Sequence, residues 1–385
     1  MREPNVAIAG CGAIAAVGCG VDALLAALRA NASGLRACEK FNSPRFQSNV
    51  VGATPGFHKN IDDNPAWSLA TEALRQAREE AHSVLSSIPT ERIGLVLSTT
   101  KANVEALERI SDGRPCSDSA RRHLQGNLLA EDLAAEHGAR GSVQCVSTAC
   151  VSGLISIQQG AKMIQRGAAD AVFIVGVDCL SEFVVAGFTA LKAIAPHGCR
   201  PFDAARSGLS PGEAGAAMVL TRADCAPGSA IKIRGWGGSN DANHLTGPSR
   251  DGSGLVQAIR SALASAKLSP QEVNYVNAHG TGTPYNDAME SLALKTIFGD
   301  ECPPFSGLKG MLGHTLGAAG VVETIACVLA MRGGFLPGTP RLQAAAEGVP
   351  AGIVREPRPA ANLDHVLKLN TGFGGVNGAL ILSHG

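Results

Sequence analysis

The stretch VSGLISIQQGAKMIQRGAADAVFIV, residues 151–175, combines two hydrophobic patterns. Residues 151–166 carry apolar side chains at three- and four-residue spacing, which predicts an amphipathic helix. Residues 171–175, AVFIV, are continuously apolar and rich in β-branched side chains, which is typical of a strand buried on both faces. A helix followed directly by such a strand predicts an α/β fold with covered sheets.

Patterns of the same two kinds alternate along the rest of the chain. Short apolar runs predict strands at residues 6–9, 93–97, 217–220, 273–276, 366–369 and 379–382. Longer Ala- and Leu-rich stretches predict helices at residues 21–29, 67–84, 254–266, 287–298 and 318–331. Residues 101–141 are more polar and predict a surface excursion. A polar step with Pro and Gly at residues 224–228 separates two strand–helix series, which predicts two α/β halves in one body.

Composition and charge exclude several classes of protein. The 385 residues, 45% hydrophobic and 17% charged, suit a globular protein with a large core. The formal net charge is zero, so the chain has no excess of positive charge that would attract nucleic acid or an anionic membrane. Eleven cysteines, without Cys-x-x-Cys or His-Glu-x-x-His, predict neither a disulfide scaffold nor a metal site.

The apolar residues 6–16 raise the question of a targeting segment. Ten residues precede Cys11, and Glu3 lies beside Arg2, so the basic start and full apolar segment of a signal peptide do not fit. We also expect no run of 18 or more apolar residues that would span a bilayer. The sequence therefore predicts a cytoplasmic protein without a membrane span.

The segment Gly10-Cys11-Gly12 follows the first predicted strand and is similar to the start of a dinucleotide-binding loop. That motif needs an acidic residue about 20 positions further on. Residues 30–34, ANASG, offer none. We favour a structural turn at this position.

Cys150 lies in VSTACVSG, residues 146–153, where a polar turn enters the helix at residues 151–166. A helix N-terminus presents unpaired N–H groups and the positive end of the dipole, both of which favour thiolate over thiol. The thiolate is the form that attacks acyl groups. Cys150 is therefore the candidate nucleophile, and a buried structural cysteine is the alternative.

Two glycine-rich segments each contain a candidate histidine. His279 lies in NAHGTGTP, residues 277–284, after a predicted strand and beside two glycines that let a ligand approach. His314 lies in LKGMLGHTLGAAG, residues 308–320, five residues after Lys309 and before an apolar helix. Taken alone, His279 is equally well a surface-loop residue, and His314 a cap in a glycine-rich turn.

Three carboxylates and one loop complete the candidates. Glu323 falls inside the apolar helix, where a lone carboxylate needs a partner, and Lys309 is the candidate partner. We interpret Asp287 and Glu290 as first-turn charges of the next predicted helix. LNTGFGGVNG, residues 369–378, ends a buried strand in a loop whose backbone N–H groups are able to hold an oxyanion. A hairpin into the last strand is the other interpretation, and the two are compatible.

The order of these motifs is that of the condensing enzymes: one Cys, then His, then Lys with His, then Gly-Phe-Gly-Gly. The chain resembles the β-ketoacyl-acyl-carrier-protein synthase I/II group of the thiolase-like superfamily. The resemblance runs nearly end to end, through RPFD at 200–203, GEAG at 212–215 and NDANHLT at 240–246. It implies an α/β fold with the thiolase-like layered αβαβα architecture from two related halves, which we expect at residues 1–228 and 229–385.

The resemblance implies a role for each matched catalytic residue. Cys150, in the first half, is expected to hold the acyl chain as a thioester. His279 and His314, in the second half, are expected to stabilise the malonyl thioester oxygen during loss of CO2. Lys309 is expected to order His314, with Glu323 as a structural residue beside the site.

The remaining matched residues are expected to contact substrate. The backbone N–H groups of Cys150 and Phe373, with Gly372 and Gly374 on either side, match an oxyanion hole. Phe373 also matches an aromatic gate over the cysteine. The phosphopantetheine arm is expected to lie against Thr246, Thr281 and Thr283.

The implied activity is that of a 3-oxoacyl-ACP synthase, an acyltransferase. It joins an acyl thioester to malonyl-ACP by decarboxylative Claisen condensation, in fatty-acid or in polyene- and polyketide-type elongation. No metal and no cofactor is expected beyond the phosphopantetheine of the acyl carrier protein. The other partner is a second copy in a homodimer or a related subunit in a heterodimer.

Two alternatives stay open from the sequence. One is a Cys–His acyltransferase or thioesterase that forms no carbon–carbon bond, and the other is a subunit that works within a heterodimeric synthase. The chain also departs from the family at STTK, residues 98–101, where a Gly-rich apolar stretch usually borders the acyl pocket. With LNTG at 369–372, this is similar to divergent synthases of bacterial secondary pathways, such as aryl-polyene assembly.

Overall fold

The computed structural model describes residues 6–56, 63–228 and 230–384. Within these residues, ten strands and the two-residue strand Gly18–Cys19 form one mixed sheet. The ten are β1 (Val6–Ala15), β2 (Ile93–Ser98), β3 (Val143–Val146), β4 (Ala171–Asp178), β5 (Ala214–Arg222), β6 (Lys232–Asn240), β7 (Tyr275–Ala278), β8 (Phe305–Gly307), β9 (His365–Thr371) and β10 (Val376–Ser383). Two small ribbons lie apart from it, Arg36–Ala37 with Val50–Val51 and Phe335–Leu336 with Arg358–Pro359.

The α-helices of the described residues fill the connections between these strands. They are α1 (Val21–Ala30), α2 (Pro65–Glu80), α3 (His82–Leu85), α4 (Val104–Ser111), α5 (Asp118–Arg122), α6 (Gly126–Glu136), α7 (Ser152–Gln165), α8 (Glu182–Ala190), α9 (Ser253–Ala266), α10 (Pro284–Phe298), α11 (Lys309–Leu312) and α12 (Ala319–Gly333). Each predicted strand and helix has a counterpart here. The sequence patterns missed the strands β3, β6 and β8 and the helices α4, α5, α6, α8 and α11.

The strand order repeats in two halves. In the first half, β1 pairs antiparallel with β5, β5 antiparallel with β4, β4 parallel with β2, and β2 parallel with β3. In the second half, β6, β10, β9, β7 and β8 pair in the same order and the same directions. The halves join where Val6 and Ala7 of β1 pair with Ile233 and Lys232 of β6. The repeat confirms two related halves.

The exact boundary between the halves, which we predict at residues 228 and 229, stays a prediction. It falls in the connection between β5 and β6. Ser229 itself lies outside the described residues.

Helices cover both faces of each half and produce five layers. On the outer face of the first half lie α2 and α6, where Leu133 shares a core cluster with Phe173. Between the halves lie α7 and α12, with Val322 in the central cluster. On the outer face of the second half lie α9 and α10, where Ile259 shares a cluster with Leu367. The expected αβαβα architecture is confirmed.

Gly10 and Gly12 lie inside β1, so the predicted turn at this position is wrong. The backbone of α2 passes directly over the strand. A Cβ at Gly10 would lie 2.2 Å from the carbonyl oxygen of Ala77, and one at Gly12 would lie 2.0 Å from that of Ala73. Close approach of helix to strand, rather than a turn or a nucleotide loop, therefore requires these glycines.

The expectation of a surface excursion at residues 101–141 is wrong for α6. Leu129 and Leu133 of this helix are fully buried against the first half of the sheet. The earlier helix α4 does reach the surface, where Leu107 is 52% exposed. The stretch is polar overall because α6 has only one apolar face.

The stretch Leu316–Gly333 is long and apolar enough to be a candidate membrane span, although Glu323 and Arg332 lie within it. However, 89% of it is buried inside the protein, where it forms α12 of the middle layer. Burial between two sheets accounts for its apolar character on all sides.

We expect Gly12→Ala to lower the melting temperature by several degrees. Overpacking costs about 1–3 kcal/mol, and each kcal/mol corresponds to about 2–4 °C in a large domain. The matched control is Gly228→Ala, whose added Cβ would find nothing within 4 Å. Differential scanning fluorimetry measures both, and equal melting temperatures for the two variants would contradict the packing of α2 on β1.

Candidate active site

Cys150 lies in a tight turn between β3 and α7, one residue before the N-cap Val151. The preceding Ala149 has a φ of 50°, in the left-handed region that residues other than glycine rarely adopt. The Ser152 hydroxyl closes the turn, since its oxygen accepts the Thr148 N–H at 2.8 Å and its O–H donates to the Ala149 carbonyl at 2.6 Å. The turn holds the Cys150 side chain at the N-terminus of α7, as predicted.

The thiol of Cys150 is not a ready thiolate, contrary to the expectation for a helix N-terminus. Burial raises its pKa to about 11. The charge of Lys309 and the backbone N–H of Phe373 act in the opposite direction without overcoming burial. Formation of the thiolate therefore depends on the groups that surround the sulfur.

The side chain of His314 lies beside that sulfur. Its Nε2 lies 3.0 Å from Cys150 Sγ. The Leu316 N–H donates to Nδ1 at 3.3 Å, which assigns the proton of the neutral ring to Nε2. The segment before β5 fixes the backbone of His314, which donates to the Ser210 carbonyl and accepts the Gly212 N–H. His314 thus presents an N–H donor to Cys150.

His279 follows β7 and presents its ring in the same way. Its Nδ1 faces two donors, Lys309 Nζ at 3.2 Å and Asn370 Nδ2 at 3.0 Å. A lysine ammonium only donates, so Nδ1 is an acceptor and the proton lies on Nε2. The rings of His279 and His314 are 5.2 Å apart at 81°.

Both imidazoles are held neutral. Burial and then the charge of Lys309 lower the pKa of His279 well below its usual value. The same two causes, in the same order, lower the pKa of His314. Two neutral rings, each with its proton on Nε2, make a pair of N–H donors rather than a pair of bases.

Lys309 occupies a different place from the one expected of it. It pairs with Glu323 at 2.6 Å, which confirms the predicted partner. Its other contacts are the carbonyl of His279 at 2.6 Å and the ring of the same residue. Lys309 therefore contacts His279, whereas the sequence analysis expected it to order His314.

Sequence reasoning missed Lys368, which also pairs with Glu323 at 2.6 Å. The signal was present, because a lysine inside the apolar run at residues 366–369 needs a buried partner.

Asp287 lies in the first turn of α10, as predicted, whereas Glu290 lies one turn further along the helix. Both are fully buried. Asp287 accepts the Phe202 N–H at 2.7 Å, and Glu290 accepts the backbone N–H groups of His279 and Gly280. Their carboxylates fix the loops that carry the site.

A cavity of about 440 Å³ opens in front of Cys150. Its wall includes eight of the residues singled out from the sequence, namely Cys150, Thr246, His279, Thr281, Thr283, His314, Gly372 and Phe373. The hydroxyls of Thr281 and Thr283 lie 2.8 Å apart. The structure therefore brings the predicted catalytic and arm-binding residues into one chamber, while Lys309, Glu323 and Gly374 lie outside its wall.

A second, smaller cavity of about 260 Å³ also borders Cys150. Its wall is mostly apolar and includes Phe183, Leu191 and Leu316. Phe373 borders both cavities, and its ring packs 6.0 Å from that of Phe188. Among the described residues, no group of three or more His, Cys, Asp or Glu side chains is placed to hold a metal ion.

A cysteine of one half that meets two imidazole donors of the other, within a thiolase-like fold, defines the class of condensing acyltransferases. Residues 3–226 match the family described as Beta-ketoacyl synthase, N-terminal domain, and residues 231–343 match its C-terminal domain. The chain belongs to the beta-ketoacyl synthase family, as the resemblance implied.

The similar proteins include 3-oxoacyl-[acyl-carrier-protein] synthases and polyketide ketoacyl synthases. The chain is 30% identical to 3-oxoacyl-[acyl-carrier-protein] synthase 2 of Coxiella burnetii, over 100% of this chain and 99% of that protein. It is 31% identical to the tetracenomycin polyketide synthase ketoacyl synthase alpha subunit of Streptomyces glaucescens, over 99% and 97%.

Solved structures of ketosynthases match the fold throughout. The ishigamide ketosynthase/chain length factor superposes with a TM-score of 0.91 at 30% identity, covering 99% of each chain. The ketosynthase ApeO from Xenorhabdus doucetiae, in complex with its chain length factor ApeC, gives 0.89 at 28% identity, covering 99% of this chain and 98% of that one.

We expect His314→Ala to slow alkylation of Cys150 by iodoacetamide about 10- to 100-fold at neutral pH. The thiolate loses the Nε2–H donor at 3.0 Å, and a hydrogen bond to a charged group contributes about 1.5–3 kcal/mol. Intact-mass spectrometry and peptide mapping follow the reaction. His279→Ala is the comparison, with a smaller effect, and equal rates in both variants would contradict the assigned contact.

Proposed function

We propose that Cys150 carries an acyl chain as a thioester and joins it to a malonyl group on an acyl carrier protein, with loss of CO2. The observation that supports this most is the convergence of two neutral imidazole N–H donors beside a buried cysteine. A hydrolase needs one base, whereas two N–H donors suit a reaction that builds negative charge on an oxygen.

In the first step, Cys150 displaces the carrier thiol from an acyl thioester. The Nε2–H of His314 and the backbone N–H of Phe373 stabilise the attacking thiolate against the burial that raises its pKa. The sulfur–acyl bond forms as the bond to the carrier sulfur breaks, and the carrier thiol leaves with the proton. The acyl chain then lies in the apolar cavity beside Phe183.

In the second step, the malonyl thioester enters the larger cavity and loses CO2. The electron pair of the breaking bond moves onto the thioester oxygen, which accepts the Nε2–H groups of His279 and His314. One such donor lowers the free-energy barrier by about 3–4 kcal/mol, so two account for a large part of the acceleration. Because both rings are already neutral and oriented, no proton has to move first.

In the third step, the new carbanion attacks the acyl carbonyl on Cys150. The carbonyl oxygen takes the negative charge and accepts the backbone N–H groups of Cys150 and Phe373. A side chain at position 372 would crowd this oxyanion hole, since a Cβ there would lie 3.2 Å from the Cys150 nitrogen. Collapse expels the thiolate and leaves a β-ketoacyl thioester on the carrier.

The phosphopantetheine arm is the only cofactor that this scheme requires, and the carrier brings it. Thr281 and Thr283 line the chamber with their hydroxyls, and Thr246 lies in the loop at its mouth. Leu245 and Tyr285, also near the mouth, are 81% and 69% exposed, which gives an acyl carrier protein apolar contacts. A second synthase subunit, identical or of the chain-length-factor type, is the other proposed partner.

We also propose a cytoplasmic location and a role in polyene- or polyketide-type assembly rather than in primary fatty-acid synthesis. The ketosynthase/chain length factor structures among the similar proteins support this. So does the STTK stretch, because Lys101 borders the small cavity in which the acyl chain would lie.

The test is incubation with acyl-ACP and malonyl-ACP, followed by mass spectrometry of both proteins. We expect an acyl adduct on Cys150 and then a β-ketoacyl-ACP. Cys150→Gln is expected to abolish both, yet to release CO2 from malonyl-ACP, since both histidines remain. Cys225→Ser, at an exposed cysteine, is the matched control with unchanged product.

Other outcomes would identify a different function. Free acid without β-ketoacyl product would indicate a Cys–His thioesterase or acyltransferase. A chain that resists acylation and cerulenin-type inhibitors on its own would favour an accessory subunit. Elongation by Cys150→Gln would show that the nucleophile is wrongly assigned.

We expect CO2 release by Cys150→Gln to stay constant as the pH falls from 8 to below the usual pKa of histidine. The active rings are neutral, and a lowered pKa keeps them neutral to a lower pH than usual. Protonation of His279 at Nδ1, which would break the contact with Lys309, begins only at a lower pH. A loss of activity centred at the usual pKa of about 6.5 would contradict this.

A further inference from the structure

A second buried lysine lies behind the site. Lys368 belongs to β9, and its side chain is 0% exposed. Its amine forms an ion pair with Glu323 Oε2 at 2.6 Å. The same amine donates a hydrogen bond to the Leu369 carbonyl at 2.6 Å. Lysine is almost never fully buried unless it is paired, so its position requires an explanation.

Glu323 serves two cations at once. One oxygen, Oε1, lies 2.6 Å from Lys309, and the other, Oε2, lies 2.6 Å from Lys368. Burial alone would raise the pKa of Glu323, but the two lysine charges together lower it, so the carboxylate is ionised. Burial lowers the pKa of Lys368, and the charge of Glu323 acts in the opposite direction. With both lysines protonated, the three buried groups carry one net positive charge, directly behind the imidazoles.

Because Glu323 is shared between the two lysines, one N–H group of the Lys309 amine remains available to donate to His279. Of its three N–H groups, one goes to Glu323 Oε1 and one to the His279 carbonyl. The third faces His279 Nδ1 at 3.2 Å. Without Lys368, both carboxylate oxygens of Glu323 would be available to Lys309 and would draw its amine away from the ring.

We propose that Lys368 is a positioning residue for decarboxylation. By holding one oxygen of Glu323, it keeps Lys309, beside Asn370, on Nδ1 of His279 and so helps to keep the Nε2–H of His279 pointed into the cavity. Lys368 itself is buried away from the cavity wall. The inference rests on the proposed function, because decarboxylation is the step that uses this N–H.

Removal of Lys368 also changes the charge that His279 experiences. The titratable groups around this ring come from several elements: Lys309, His314, Lys368, Glu290, Glu323 and Cys150. Lys368 is one of the cations that lower the pKa of His279. Its loss leaves Glu323 and Lys309 as a neutral pair, so the acid limit of the reaction moves to higher pH.

The first experiment measures CO2 release from malonyl-ACP in the Cys150→Gln background, with and without Lys368→Met. We expect kcat to fall about tenfold, with a smaller change in KM, and the acid limit to rise. Acylation of Cys150, measured with the cysteine restored, is expected to stay within about twofold. The matched control is Leu367→Met, a buried neighbour on the other face of β9, with no change in either reaction.

A double-mutant cycle with Glu323→Gln tests the route of the effect. Lys368 acts through the carboxylate, so Lys368→Met is expected to change kcat less than about twofold once Glu323 is Gln. Equal losses in both backgrounds would overturn the proposal. So would unchanged CO2 release in the single variant, or a parallel loss of acylation and CO2 release.

If Lys368→Met does not fold, nitrogen-15 NMR of the histidines in the unsubstituted protein tests the tautomer on which the inference rests. We expect His279 in the Nε2–H form from neutral pH to well below the usual pKa, and the Nδ1–H form would overturn the inference. Failure of the proposed function is distinguishable, because malonyl-ACP would then lose no CO2 in the Cys150→Gln protein with Lys368 intact.

Discussion

The geometry of the site depends on one backbone-to-backbone contact between the two central helices. A Cβ on Gly153 of α7 would lie 2.8 Å from the backbone of Gly320 of α12, and one on Gly320 would lie 2.4 Å from the nitrogen of Leu154. Because α7 and α12 belong to different halves, this contact sets the distance between the halves at the point where both helices begin. Cys150 precedes α7 and His314 precedes α12, and their side chains meet at 3.0 Å. Any larger side chain at the two glycines would separate nucleophile and donor.

Behind this contact, the electrostatics follow from burial. A histidine without solvent and beside a lysine is driven neutral, and the lysine in turn persists without solvent only because Glu323 compensates it. The donors at Nδ1 then decide the tautomer of each ring: the backbone of Leu316 for His314, and Lys309 together with Asn370 for His279. These residues, which keep both rings neutral and place the proton on Nε2, thus all belong to the second half of the fold. The chemistry of the site and the stability of the core cannot be altered separately here.

Much of this was predictable from sequence, and the failures have physical causes. Buried strands such as residues 171–175 and the Cys150 segment were found because continuous apolarity and a cysteine at a helix start are local signals. The strand β6 was missed because its glycines, over which α9 passes, replace apolar side chains: a Cβ at Gly237 would lie 2.1 Å from the carbonyl oxygen of Ala258. Gly10 and Gly12 were assigned to a turn for the same reason, since no local pattern shows that a distant helix crosses a strand. The roles of Lys368, Asp287 and Glu290 depend on partners far apart in the chain.

The contact between His314 and Cys150 also gives the proposed cycle an order. In the free enzyme, the Nε2–H of His314 is directed at the sulfur, and the buried thiol, with a pKa of about 11, depends on it to become a nucleophile. Once the sulfur carries an acyl group, it can no longer ionise to a thiolate and is a poor acceptor, so the same N–H is released to the cavity. Only then do both imidazoles offer a free donor to a malonyl thioester. Acylation of Cys150 thereby completes the site for decarboxylation, and the malonyl group is protected from loss of CO2 until an acyl chain is ready to receive the carbanion.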